Sequence, residues 1–255
     1  YNMVPIGLVL KMVIGNSDRF LEKEDILDNS IINKTKKFIL NKEQLQALNF
    51  LETKNTGFNV SVLQGTTGSG KTLVYFERIK KIIKKNYQAL VLLPEIFLTN
   101  DFKSRFEEYF GFEPAVWHSK ITPKQKRVIW KGVINNNIKI LVGARSALLL
   151  PFKKLGIIIV DEEHDSSYKQ DEGVIYNARD MAISRASFEK IPIHLVTSVP
   201  SIETYNNILN KKYRHINIHK RFENYPLPKT KIINLNINKI KEKYVAKETV
   251  DLVKT

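Results

Sequence analysis

Between Leu63 and Ile79 the chain reads LQGTTGSGKTLVYFERI. Gly65, Gly70, Lys71 and Thr72 stand at the spacing G-x-x-x-x-G-K-[ST]. Glycines there let the backbone curl so that successive N–H groups point at phosphate oxygens. A helix beginning at this place adds partial positive charge. Lys71 can reach the β- and γ-phosphates of a nucleotide, and the Thr72 hydroxyl can hold Mg²⁺. A Gly/Ser turn could match the pattern by chance, but the flanks argue for a phosphate loop. FNVSVLQ, Phe58 to Gln64, reads as a strand, and TLVYFERIKKIIKK has apolar residues at helical spacing. The nucleotide-binding segment is then Gly65, Thr66, Thr67, Gly68, Ser69, Gly70, Lys71 and Thr72.

A second constellation lies downstream in LGIIIVDEEHDSSYKQ. A continuous apolar run ends in Asp161-Glu162-Glu163-His164. Asp161 at the strand tip can bind Mg²⁺ through water, because that ion keeps much of its hydration shell. Glu162 is placed to orient and polarise an attacking water. His164 is placed to sense a γ-phosphate. Phosphoryl transfer depends on positioning and charge neutralisation, so these groups suit Mg-ATP hydrolysis. Alone, D-E-x-H is a weak signal and usually a solvated acidic turn. Its weight comes from the phosphate loop upstream and the apolar strand before it.

These residues must be carried by alternating elements. LNKEQLQALNFL, from Leu40, is expected to open the main domain as a helix capped by Asn41. Strands are expected at ALVLLP, PAVWHS, IKILVGA, LGIIIV and IPIHLVTS. Helices are expected at FLTNDFKSRFEEYF, TPKQKRVIWKGVIN and ARDMAISRASFEK. Continuous apolar strands belong to a parallel sheet covered on both faces. The fold class is therefore α/β, a P-loop NTPase domain with a mostly parallel sheet flanked by helices. Trp117 and Trp130 read as core, and KKIIKK (Lys80 to Lys85) as a solvated helix face.

Composition bounds the partners. The 255 residues carry 41 Lys and Arg against 26 Asp and Glu, a formal charge of +15. Such an excess points to a polyanion, most often nucleic acid. The abundance of Lys, Asn and Ile together also fits a surface biased by an AT-rich genome. The absence of cysteine excludes disulfides and cysteine-ligated zinc within this chain. No apolar run is long enough to span a bilayer and no signal peptide follows Tyr1, so no membrane role and a cytoplasmic location are expected.

D-E-x-H after a phosphate loop resembles superfamily 2 helicases. LLPEIFLT, WHSK, GARSALLLPFKKLGIIIVDEEHDSSYKQ, YNARDMAISRA and PSIET together resemble the primosomal protein N′ family of replication-restart helicases. The resemblance implies a 3′-to-5′ DNA helicase using ATP and Mg²⁺ at stalled forks. Its partners would be single-stranded and forked DNA, the primosome and single-strand-binding proteins. It also implies roles for single residues. Gln44 would contact adenine. Thr99, Arg145 and Ser146 would contact the phosphate backbone without reading sequence. The loop after D-E-x-H, from about Asp165 to Arg179, would face DNA with Tyr168, Lys169, Tyr176 and Arg179, its aromatic rings stacking on bases. Packing of the two tyrosines and an ion pair for Arg145 stay open as alternatives.

The family pattern divides the chain. Residues 1–15 would end an N-terminal DNA-binding domain, and residues 16–38 would be a linker, shorter than the family's. Residues 39–218 would form the first, ATP-binding RecA-like motor domain, and residues 219–255 would be a linker toward a second one. That second domain, with its arginine finger and the family's cysteine-rich zinc insertion, is not in this sequence. A further departure is Val199 in Thr197-Ser198-Val199-Pro200, where the family commonly has a hydroxyl. Two other readings stay open: a non-catalytic remnant binding ATP or DNA, and another superfamily 2 DNA translocase.

Overall fold

A computed structural model describes residues 38–53, 57–171 and 173–220. The expected N-terminal remnant, most of the linker before the motor and nearly all of the segment after residue 218 lie outside the described residues.

Six helices and nine strands follow one another in the described residues. In chain order they are α1 (Lys42–Glu52), β1 (Asn59–Gly65), α2 (Lys71–Ile83), β2 (Gln88–Leu92), α3 (Asn100–Phe110), β3 (Ala115–Trp117), α4 (Pro123–Ile134) and β4 (Ile140–Gly143). Then come β5 (Leu155–Val160), β6 (Lys169–Gln170), β7 (Tyr176–Asn177), α5 (Ala178–Phe188), β8 (Pro192–Thr197), α6 (Ile202–Leu209) and β9 (Arg214–Ile218). Seven strands form one sheet in the order β3-β4-β2-β5-β8-β1-β9. Every pairing in it is parallel. β6 and β7 form a separate antiparallel pair.

The parallel sheet expected from continuous apolar strands is therefore the sheet observed. Every residue of β2, β5 and β8 is buried. One face packs under α4 and α5, where Ala178, Ala182 and Ala186 let α5 approach closely. The other face packs under α1, α2 and α3 around Phe76, which touches Phe102, Phe106 and Phe110 edge-on. Trp117 is buried and Trp130 packs against the core. In Lys80 to Lys85 the isoleucines turn inward and the lysines outward.

Two boundaries differ from expectation. α3 starts at Asn100 rather than Phe97, because the Thr99 hydroxyl accepts from the Phe102 N–H and caps it. Residues Glu95–Phe97 form a separate 3₁₀ turn. α6 and β9 carry no strong sequence signal. α6 has eight residues and buries little besides Thr204, and β9 is a half-buried edge strand.

His194 sits mid-strand in β8 opposite Ser61 of β1, with no exposed surface and no partner on either ring nitrogen. Burial, and then the charge of Arg78, push its pKa down to about 3. An unfolded chain takes this proton near pH 6.5. The stability held by the neutral ring is thus full above pH 6.5 and is lost as pH falls toward 3. Between pH 6.5 and 5 the loss is about 2 kcal/mol. Urea unfolding at pH 5 and pH 7 should show a smaller pH difference in His194→Leu than in the parent chain. An equal difference in both would show that this ring does not carry it.

Candidate nucleotide site

The phosphate loop joins the C-terminal end of β1 to α2. Gly68 and Gly70 both have φ near +80°, a left-handed backbone that favours glycine. At Gly70 a side chain would also strike the amide of Gln44. The Lys71 ammonium lies over the loop, donating to the Gly65 carbonyl at 2.7 Å and reaching that of Thr66 at 3.4 Å. Burial lowers its pKa, and Glu162 and Asp161 oppose that shift. The Ser69 hydroxyl is buried with no partner.

Asp161 follows the last residue of β5, beside β2 and β8 in the middle of the sheet. Its carboxylate accepts from the Tyr75 hydroxyl at 2.9 Å and from the Glu162 N–H at 3.0 Å. Burial, and then the Glu162 charge, raise its pKa to about 6. Glu162 holds a left-handed backbone, φ +47°, a conformation costing a non-glycine residue about 1 kcal/mol or more. That geometry turns its side chain out of the sheet line, where it stays about a quarter exposed.

His164 Nδ1 lies 2.8 Å from the Thr197 hydroxyl, which in turn donates to the Val199 carbonyl at 2.8 Å. The single Thr197 proton is thereby used, so Nδ1 of His164 is the donor and Nε2 is left as acceptor. The link between D-E-x-H and the Thr197-Ser198-Val199-Pro200 turn thus runs through Thr197. The Val199 side chain stays exposed.

A cavity of about 470 Å³ is lined by Lys71, Thr72, Asp161 and Glu162, together with Phe38, Phe102 and Arg105. The two sequence motifs, some 90 residues apart, therefore share one crevice at the carboxyl ends of the strands. The donor set fits Mg-nucleotide: a cradle of left-handed glycines, an ammonium, and the Thr72 and Asp161 oxygens for the ion. Among the described residues no cluster of three or more His, Cys, Asp or Glu forms a separate metal site.

Several expected roles need correction. Gln44 is fully buried, its Oε1 accepting from the Asn41 N–H and its Nε2 donating to the Ser69 carbonyl. It pins the phosphate loop and closes a capping box, so it presents no free edge to an adenine. The spacing Asn41-x-x-Gln44 was the sequence signal for that box. Tyr168 is 2% exposed, and its hydroxyl lies 2.9 Å from the Leu92 carbonyl and 2.6 Å from that of Asp161. Tyr176 is buried as well. Neither ring has a free face for a base.

Arg179 is also buried, in an ion pair with Glu163 at 3.3 Å and a hydrogen bond to Ser201 at 2.6 Å, so it is not a surface contact for DNA. Glu163 in turn accepts from the Ser201 N–H, the Ser201 hydroxyl and the Thr204 hydroxyl. Sequence reasoning missed this node and Tyr75, whose partners are distant in the chain. Thr99 is exposed but engaged as a cap. Ser146 accepts from the Trp117 indole at 3.1 Å, and Arg145 donates to the Lys169 carbonyl at 2.7 Å. Lys169 is exposed, 3.0 Å from Asp171.

Residues 41–208 match the family model of DEAD/DEAH box helicases. The chain belongs to that family. Its sequence relatives are replication restart proteins PriA, which bears out the resemblance drawn from DEEHDSSYKQ. The protein of Rickettsia felis is 41% identical over the whole of this chain and 39% of its own length. That of Haemophilus influenzae is 43% identical over 77% of this chain and 27% of its own. That of Bacillus subtilis is 36% identical over 83% and 26%. The chain thus spans about two fifths, or less, of the relatives it matches. Among solved structures, RecG bound to a three-way DNA junction aligns with a TM-score of 0.53 at 21% identity, over 77% of this chain and 25% of that one. At that identity the likeness speaks for the fold.

Proposed function

We propose that this chain is the ATP-binding motor segment of a 3′-to-5′ DNA helicase of replication restart, working in the cytoplasm on single-stranded and forked DNA with primosome and single-strand-binding proteins. The observation that carries the reading is the single crevice shared by Lys71, Thr72, Asp161 and Glu162. Lys71 would hold the β- and γ-phosphates. Thr72 and Asp161 would hold Mg²⁺, which supplies charge neutralisation at the phosphates. Glu162 would orient the attacking water. His164, tied to Thr197, would report the state of the γ-phosphate to the neighbouring strand. Arg145, Lys169, Thr99 and Ser146 support a DNA path across the same end of the sheet. Zinc, a feature of the wider family, would bind elsewhere than in this cysteine-free chain.

Glu162→Gln should keep Mg-ATP affinity within about threefold and remove turnover by 10²-fold or more, as loss of a water-orienting base does. Calorimetry and phosphate release check the two halves separately. A Glu162→Gln chain that hydrolyses ATP at the parent rate would remove this residue from the mechanism.

A further inference from the structure

A second cavity, of about 210 Å³, opens at the carboxyl ends of the neighbouring strands β4, β2 and β5. It shares only Leu93 with the nucleotide crevice. Leu93, Pro94, Ile96, Ala144 and the buried Tyr168 give it apolar walls. Ser167 and two charged residues, Arg145 and Glu95, complete the lining. Arg145 lies where a phosphate backbone is expected, with its NH1 on the Lys169 carbonyl. Glu95 is the anomaly. A carboxylate on the path of a polyanion costs affinity unless it meets a donor. Among the described residues its partner is the Ser119 hydroxyl, at 3.1 and 3.4 Å from the two oxygens. A carboxylate offers about four lone-pair sites, so acceptor capacity remains.

We propose that this cavity takes one base of the bound single strand and that Glu95 reads its edge, favouring guanine over thymine. The proposal rests on the reading that this end of the sheet binds single-stranded DNA. The apolar walls suit a flat ring and the volume suits one base. A phosphate in the same place would face a second anion. Guanine offers N1–H and N2–H side by side, matching two carboxylate oxygens. Thymine offers one N–H between two carbonyls that repel a carboxylate. Arg145 then holds the flanking phosphate while Glu95 discriminates the base. Tyr168 reaches the cavity only as part of its wall, 2% exposed, so the ring offers no stacking face there.

The test is fluorescence anisotropy of the whole chain at one fixed low salt concentration. The probes are three 12-mers: all dT, alternating dT/dG, and alternating dT/dI, in which inosine lacks the N2 amine. The alternating dT/dG strand should bind about fivefold tighter than all dT, the low end of one correct bidentate base contact. The dT/dI strand should fall between them. Glu95→Ala should bring all three affinities together while leaving the all-dT affinity equal or tighter. Glu95→Gln, which can still bond Ser119, should likewise lose the preference. A merely structural role for Glu95 would weaken all three strands alike, and that result overturns the proposal. So does a parent chain that binds the three strands equally. Absence of binding to every strand would instead overturn the DNA-binding reading beneath it.

Discussion

Lys71→Ala should lower Mg-ATP affinity by about 100-fold or more while leaving the fold intact. The ammonium lies 2.7 Å from the Gly65 carbonyl and lines the same cavity as Thr72, Asp161 and Glu162. A cation on a phosphate oxygen contributes about 1.5–3 kcal/mol per hydrogen bond, and 2.7 kcal/mol is roughly 100-fold in affinity. The same group is costly to the folded chain without nucleotide, since burial lowers its pKa. Alanine removes that cost together with the bond to the Gly65 carbonyl and the attraction to Asp161 and Glu162, so the melting temperature should change little. Calorimetry with Mg-ATP and thermal unfolding read the two effects. Equal nucleotide affinity in parent and variant would contradict the phosphate-loop assignment.

The second large effect concerns stability. Glu163→Ala should destabilise the domain by about 3–5 kcal/mol, because the Ser201 N–H, two hydroxyls and the Arg179 guanidinium all lose their buried acceptor, at about 1 kcal/mol or more each. Glu163 is 1% exposed, so its donors have little water to turn to, while Arg179 keeps Asp180 at 2.8 Å and Glu203 at 3.7 Å. The hydroxyls of Ser201 and Thr204 lose the same acceptor. For a domain of this size that corresponds to a fall of about 10 °C in melting temperature. Arg179→Ala should destabilise comparably, and the double variant should cost much less than the sum of the two. This also separates the observed role of Arg179 from the one expected of it. A DNA contact would lose DNA affinity with little change in melting temperature. The buried ion pair predicts the reverse weighting.

What was legible in the sequence was local. The phosphate loop and Asp161-Glu162-Glu163-His164 each lie within a few residues, and each follows a mostly buried apolar strand. The fold followed from the same strands, because a run such as LGIIIV can be satisfied only in a sheet covered on both faces. What was illegible depended on distant partners. Tyr75 reaches Asp161 across 86 positions, Gln44 reaches Ser69 across 25, and Glu163 reaches Thr204 across 41. The rings of Tyr168 and Tyr176 illustrate the limit. Nothing in the local pattern distinguishes a tyrosine that stacks on a base from one whose hydroxyl closes the ends of two strands. α6 was missed because it is short and leaves Ile202, Tyr205 and Leu209 exposed, without an inward apolar stripe.

The central claim is that the described domain supplies one wall of an ATPase cleft and that an arginine from a second wall completes it. Arg105 lines the cavity and pairs with Asp101 at 2.7 Å on α3, both side chains well exposed, so Arg105→Ala is the control for an arginine supplied from within the chain. An arginine finger in related phosphate-loop enzymes contributes about 10³ to 10⁵ in rate. Steady-state phosphate release by the 255-residue chain alone, with and without single-stranded DNA, tests this directly. The account predicts measurable Mg-ATP binding, very slow release and little stimulation by DNA. Robust DNA-stimulated release that is lost in Lys71→Ala would contradict it, and its further loss in Arg105→Ala would place the arginine within the chain.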